Sequence, residues 1–369
     1  MTLVDGLPRP LGSYPREDVT FLLTDIGDRI TEQAVEHREE LLRSGARHYS
    51  ETLAAERPLS PAYRALVMDL LEDRAPEVAS LVAVLGERVL GERGPGVVLV
   101  SLARAGTPVG VLVRRWLAWR HALRVPHYSV SIIRDRGIDM VAMRWLARHH
   151  DPATLQLVDG WTGKGVICRE VAAALPGLAS EGIALTPAVA VLADPGHCTP
   201  LCATRDDVLI PSACLNATIP GLVSRTVLDR SLLGPDDFHG VKWYRDRAGE
   251  DLSNAWVDRV ASHFPQAAEE VDGRLTTLAG LPPPDGRGLR DARALMAELG
   301  VSDLNHVKPG VGEATRVLLR RVPRCVVVDP GRDGELAHLR MLAAERGVPV
   351  VERRGGVFAC AAAIADAGA

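Results

Sequence analysis

Apolar positions recur at helical spacing through Ile30–Leu42, Tyr63–Leu71 and Val78–Leu90, so residues 1–90 are expected to form a helical N-terminal layer. From Gly94 the pattern changes to short runs rich in valine and isoleucine, alternating with helical stretches. The runs are Val97–Leu102, Tyr128–Ile133, Leu155–Val158, Ala188–Leu192 and Val208–Ile210, and helices are expected at Pro108–Leu123, Met140–His149 and Val166–Leu175. Such alternation predicts an α/β fold with a mostly parallel sheet covered on both faces, over residues 91–255. Residues 256–287 read as a helical segment that ends in the proline- and glycine-rich linker Leu281–Gly288. Residues 288–369 then read as a small α/β/α domain, with helices at Leu289–Leu299, Glu313–Arg320 and Leu336–Arg346 and strands at Cys325–Val328 and Val348–Val351.

Composition narrows the class. With 47% hydrophobic and 24% charged residues and a net charge of −4, this is an ordinary globular chain, and any nucleic-acid contact must be local. No apolar run reaches the roughly 18–20 residues that span a bilayer, and a cytoplasmic location without membrane contact is expected. The six cysteines show no paired spacing and read as reduced thiols. Nearly all basic residues are arginine; the only lysines are Lys164, Lys242 and Lys308.

In a parallel sheet, ligands bind beyond the carboxyl ends of the strands. The third run passes into Asp159, Gly160, Trp161, Thr162, Gly163, Lys164 and Gly165 just before a helix. Glycines let consecutive backbone N–H groups and the helix N-terminus point at one anion, with Thr162 and Lys164 adding donors and charge. A tight turn without ligand is the alternative. The first run ends in Ser101, Ala103, Arg104, Ala105 and Gly106, where the arginine could cradle a second anion or simply be solvated. Arg134 and Arg136 flank the turn after the second run, either as a mobile lid over a pyrophosphate or as an ion-paired turn.

These motifs resemble the StiP family, which carries the name of a cysteine protease, is also described as phosphoribosyltransferase-like, and is associated with tellurium-resistance gene neighbourhoods. The similarity runs over G-S-Y-P-R-E-D-V-T-F-L-L at Gly12–Leu23, H-Y-S-E at His48–Glu51, S-L-A-R-A-G-T-P at Ser101–Pro108, H-Y-S-V-S-I-I-R-D-R-G-I-D at His127–Asp139, V-D-G-W-T-G-K-G at Val158–Gly165 and I-P-S-A-C-L-N-A-T-I-P-G-L-V-S-R-T at Ile210–Thr226. The resemblance implies a type I phosphoribosyltransferase-like fold. It also implies transfer of a 5-phosphoribosyl group from phosphoribosyl pyrophosphate, with Mg2+, to an unknown acceptor. Asp159 would then support the ribose, Thr162–Gly165 the 5-phosphate, and Arg104 with Arg134 and Arg136 the pyrophosphate. The adjacent acids usual in that family are here Asp159 and Gly160. A non-catalytic ribonucleotide sensor, binding ribose 5-phosphate, is the alternative. The C-terminal stretch resembles the Pelota-type RNA-binding domain, which implies weak binding of structured RNA through Lys308, Gly310, Gly312, Glu313 and Arg316; Gly312 stands where that family commonly has asparagine.

Other groups were weighed for chemistry. His197-Cys198 is the obvious pair for a cysteine protease, but adjacent side chains tend to point apart, and the cysteines are expected to be dispensable. With Cys202 they offer three metal ligands and no fourth. Asp206, Asp207, Ser212, Asn216, Ser224 and Arg225 could form an acceptor pocket or cap the sheet. Asp237, His239 and Lys242 could serve as acid, base and charge partner, or end a solvated helix.

Overall fold

The computed structural model describes residues 3–4, 7–34, 47–55, 60–320 and 322–364 of the 369. The central sheet contains β1 (Thr20–Phe21), β2 (Val98–Ala103), β3 (His127–Ile133), β4 (Gly137–Ile138), β5 (Leu155–Trp161), β6 (Ala190–Ala193) and β7 (Cys202–Thr204). Its order is β7-β6-β5-β2-β3-β1, parallel throughout, with β4 antiparallel on β3. Both faces are buried, so the strands are almost continuously apolar. Along β2, Leu99 points into one core while Val98, Val100 and Leu102 point into the other, as the two-residue period of a strand requires.

Helix α1 (Pro61–Arg93) packs against α6 (Phe264–Ala279), and α2 (Gly106–His121) against α5 (Ser253–Ala261), on the Leu99 face. Helices α3 (Met140–His149) and α4 (Val166–Ser180) cover the other. The Ser60 hydroxyl accepts from Tyr63 N at 3.2 Å and Pro61 occupies the first turn, which starts α1 where the sequence offers both capping signals.

The N-terminal expectation holds only from Pro61, where the two separate helices expected are one 33-residue helix. The described residues before it form 3-10 turns and two-residue strands such as Thr20–Phe21, and most of the helix expected at Ile30–Leu42 lies outside the described residues. The strand expected at Val208–Ile210 is replaced by β7 upstream, and Ile210 leads into a 3-10 turn at Pro211–Cys214.

The C-terminal module has α7 (Arg287–Glu298), α8 (Val311–Arg320) and α9 (Ala337–Glu345) around a four-stranded sheet. Two strands, β8 (Val307–Pro309) and β11 (Cys360–Ala363), were not expected; they join β9 (Cys325–Val328) and β10 (Val350–Glu352) in the order β8-β11-β9-β10. Cys325 and Val327 face α7, whereas Val326 and Val328 join the large core of the body. Helix α8 packs on the Pro211–Cys214 turn and α9 on α1, so the module shares a core with the body. Among the described residues, no helix is long and apolar enough to cross a membrane.

The β2–α2 turn is pressed against β5. A Cβ on Gly106 would stand 2.4 Å from Val158 O and 3.1 Å from Asp159 Cα, both backbone atoms. Gly106→Ala is therefore expected to cost about 1–3 kcal/mol, the usual penalty of overpacking. Urea unfolding of the two proteins checks this; an unchanged midpoint would mean that the two strand ends separate freely.

Candidate functional site

The carboxyl ends of β2, β3, β5 and β6 form one rim, and the expected loops meet there. Ala105 O lies 3.6 Å from the position a Cβ on Gly160 would take, so the Ala103–Gly106 and Asp159–Gly165 turns are packed together. Ser101 does not face a ligand; its hydroxyl is buried between Gly106 O at 3.0 Å and His127 Nε2 at 2.8 Å. Arg104 donates to Val223 O at 2.9 Å. Arg136 pairs with Glu51 at 3.6 Å and Arg134 reaches Asn305 Oδ1 at 3.4 Å, which favours the ion-paired turn over a lid.

The glycine loop departs furthest from the expected anion cradle. Strand β5 runs three residues beyond Val158, because Asp159 and Trp161 still pair with Val191 and Ala193. Asp159 is buried and accepts from Gly160 N at 2.8 Å. Burial pushes its carboxyl up to about 6, against the Gly160 hydrogen bond and the nearby Arg316 charge. Lys164 is also buried, and its ammonium donates to Leu304 O at 2.8 Å and Val307 O at 2.7 Å in the C-terminal module. Burial and then Lys308 lower it to about 8. The Trp161 ring packs against Phe358 and against Gly310, where the left-handed φ of 86° starts the turn into α8. Two of the three lysines thus meet at the module junction. Glu313 lies among them: burial would raise its carboxyl, but Lys308, Arg316, Lys164 and Arg134 outweigh that and hold it low.

Two aspartates organise this rim: Asp194, which the sequence did not single out, and Asp207, expected in an acceptor pocket or a cap on the sheet. Asp194, fully buried at the end of β6, accepts from Cys198 N at 2.9 Å, Thr199 N at 3.0 Å, the Thr162 hydroxyl and the Arg205 guanidinium. Its only sequence signal was an acid directly after an apolar strand, the position Asp159 also occupies. Asp207, fully buried as well, accepts from Val311 N at 3.3 Å and Ala359 N at 2.8 Å, both in the C-terminal module, while Arg332 donates to its backbone oxygen at 2.6 Å. Burial raises the Asp207 carboxyl to about 6.

Asp194 folds the Asp194–Thr199 turn, which carries Cys198 against the glycine loop. Cys198 Sγ donates to Gly163 O at 3.3 Å. The preceding His197 takes a left-handed φ of 51°, and its Nδ1 is buried with no hydrogen-bond partner. Burial, then Arg287 and Arg205, hold the His197 ring below its ordinary range, so it is neutral near pH 7. Burial followed by the Asp194 charge pushes the Cys198 thiol up to about 12; Cys168, on α4, is raised to the same value. Cys202, Cys325 and Cys360 are buried, and the side chain of Cys214 lies outside the described residues. No three His, Cys, Asp or Glu side chains converge as a metal site among the described residues.

Asp237, His239 and Lys242 have separate engagements: Gly234 N, Ser131 Oγ and the Asp28–Glu32 pair. Ser224 and Arg225 serve the main chain, Ser224 bonding Arg225 O and Lys242 N, and Arg225 bonding Tyr49 O and Thr52 O. An open cleft of about 470 Å3 lies at the opposite rim, between Pro95–Val98, Ala122–Pro126 and His149–Asp151. Its histidines are engaged, His149 by Trp145 O and His150 by the Tyr128 hydroxyl, and none of the strand-end motifs reaches it.

Residues 12–261 match the family model described as tellurite-like stress resistance cysteine protease StiP, and residues 286–366 match that of the PELOTA RNA binding domain. Over 352 residues the chain is 32% identical to the cysteine protease StiP of Acinetobacter baylyi (strain ATCC 33305 / BD413 / ADP1), covering 92% of this chain and 89% of that protein. These matches overturn the expected phosphoribosyl transfer, since both the family and the relative are named for a cysteine protease. The geometry agrees, because Lys164, the cation expected on a 5-phosphate, is spent on two carbonyls. The Mg2+ expectation rested on the pyrophosphate of that reaction.

The two raised carboxyls set a pH dependence. A group held near 6 in the fold but at 3.8 when unfolded contributes stability that is fully present below about 3.8 and lost as pH rises through 6. Asp159→Asn keeps the acceptor for Gly160 N and removes one such group. It is expected to raise stability at pH 7 by on the order of 2–3 kcal/mol and to flatten the pH 4–7 slope. Denaturant melts across that range check it; an unaltered slope would show Asp159 to be hydrated.

Proposed function

We propose that this chain, which belongs to the tellurite-like stress resistance cysteine protease StiP family, is a thiol-dependent amide hydrolase with Cys198 as nucleophile. The observation that carries the reading is the strand-end turn in which Cys198, partly accessible, follows a neutral His197 whose Nδ1 has no partner. In the reaction His197 takes the thiol proton and Cys198 Sγ bonds to the scissile carbonyl carbon. The C–N bond then breaks, the amine leaves with that proton, and water hydrolyses the thioester. Asp194 positions both residues by clamping the turn through Cys198 N and Thr199 N. Burial and the Asp194 charge hold the Cys198 thiol near 12, so it is protonated and bonded to Gly163 O, and it must leave that oxygen to give its proton to His197. On this reading Cys198 is required for the chemistry, against the dispensable role expected of the cysteines from sequence.

We further read the body as the type I phosphoribosyltransferase-like arrangement, kept as a scaffold without its transfer chemistry; the parallel order β6-β5-β2-β3 with a glycine turn after β5 supports this. The C-terminal module is read as a weak binder of structured RNA, supported by its family match and by Lys308 on β8 and Arg316 on α8.

Cys198→Ser is expected to lower casein or fluorogenic-peptide hydrolysis at least about 1000-fold, as loss of a nucleophile does, while Cys168→Ser keeps activity. Equal activity in Cys198→Ser and wild type would overturn the assignment, as would a wild-type protein that cleaves nothing. For RNA, affinity should fall steeply with salt, and Lys308→Ala and Arg316→Ala should each reduce the slope of log K against log salt by about 1. Filter binding over a salt series checks this, and a slope near zero would remove the phosphate contacts.

A further inference from the structure

The C-terminal module enters the chain directly over Cys198. Gly286 N donates to His197 O at 2.8 Å and Gly288 N to Gly196 O at 3.1 Å, so the linker lies along the two residues before the thiol. The approach is too close for a side chain, since a Cβ on Gly288 would stand 2.5 Å from Gly196 Cα and 2.6 Å from Gly163 O. Beyond the linker, Lys164 bonds Leu304 O and Val307 O, and Asp207 bonds Val311 N and Ala359 N. These contacts hold the 304–313 segment against Trp161 and the glycine loop.

The same segment carries the charge of the module. Lys308 and Arg316 stand with Lys164 and Arg134 around Asp159, Glu313 and Asp303, four cations to three carboxylates. Such an excess, assembled from two parts of the chain and half withdrawn from water, attracts a polyanion and resists its own closure. A nucleic-acid backbone on Lys308 and Arg316 would occupy the space that Trp161 and Lys164 take against Val307–Val311. Docking on the body and binding RNA therefore compete for one face.

We infer that the linker and the 304–313 segment of the C-terminal module form a cover over the Cys198 turn, latched by Lys164 and Asp207, and that structured RNA taking the Lys308–Arg316 face lifts this segment while the shared apolar core stays packed. The purpose of the cover rests on the reading of Cys198 as the reacting thiol, but its existence does not. Its test reads accessibility, so it can fail or succeed whether or not Cys198 hydrolyses anything.

The experiment uses the full chain, with Cys198 alkylation by iodoacetamide followed by mass spectrometry and amide exchange at Gly286 and Gly288 measured in parallel. A structured RNA carrying a kinked internal loop is expected to speed alkylation about tenfold and to lower protection of those two amides alike, with β2 and β5 still protected. The effect should vanish at about 1 M salt. Lys164→Met should speed alkylation without RNA, and Lys164→Arg should largely restore the wild-type rate. If Lys164→Met does not fold, exchange in the wild type decides alone. Alkylation and exchange unchanged by bound RNA would overturn the inference. Exchange at Gly286 and Gly288 only together with β2 and β5 would overturn it also, since the cover would then open only on global unfolding. Equal acceleration by inorganic polyphosphate would overturn RNA as the occupant.

Discussion

The rim of the sheet depends on one buried carboxylate. Asp194 gathers the Thr162 hydroxyl, two backbone amides and the Arg205 guanidinium, and thereby joins the glycine loop to the turn that bears His197 and Cys198. A carboxylate removed from water is tolerated only when its lone pairs are met by donors, and a charged partner strengthens the set. Everything beyond follows from that anchorage. The glycine loop held by Thr162 presents Trp161 and Lys164 to the C-terminal module, and the turn held through Cys198 N presents His197 O and Gly196 O to the linker. Thiol chemistry and module docking therefore use the two ends of one small framework.

Much of the fold was legible in the sequence because strands buried on both faces read as short, nearly continuous apolar runs, as Val98–Ala103, Ala190–Ala193 and Cys325–Val328 do. Where that signal was missing, the reading missed too. Cys360–Ala363 is mostly alanine, a helix former by intrinsic preference, and becomes a strand because β8 and β9 flank it. Cys202–Thr204 is too short for periodicity, and its pairing with β6 is a tertiary effect. Thr20–Phe21 is recruited to the sheet from a loop-like stretch, beside Asp18, which pairs with Arg115.

The candidate site was legible as a place and not as a chemistry. A glycine-rich turn after a strand points to a backbone that something approaches closely, and Gly163 and Gly165 are indeed closely approached. What approaches is the chain itself. Nothing local in V-D-G-W-T-G-K-G distinguishes a loop that receives phosphate from one that receives the carbonyls of Leu304 and Val307, since both take the same donors. Asp207 was equally ambiguous, because its partners Val311 and Ala359 lie more than 100 positions away. The thiol was underweighted for a related reason. The isolated dipeptide His197-Cys198 gave no hint of the left-handed φ at His197 that shapes the turn.

The polar contacts of the junction between module and body are written largely in main-chain atoms. Gly286, Gly288, Val311 and Ala359 contribute amides, and His197, Gly196, Leu304, Val307 and Asp207 contribute carbonyls. Peptide groups are common to every residue except for proline's missing donor, so these polar contacts constrain few side chains on the module, and the constraint on its side chains comes from the shared apolar core that includes Val326 and Val328. The outer surface of the module can accordingly diverge to suit different ligands while its seating is inherited unchanged, provided that the glycine at the point of closest approach and the two charged side chains of the body persist. Alanine scanning across such a junction would find its sensitive positions in the shared apolar core and would understate the main-chain contacts that fix how the two parts are seated.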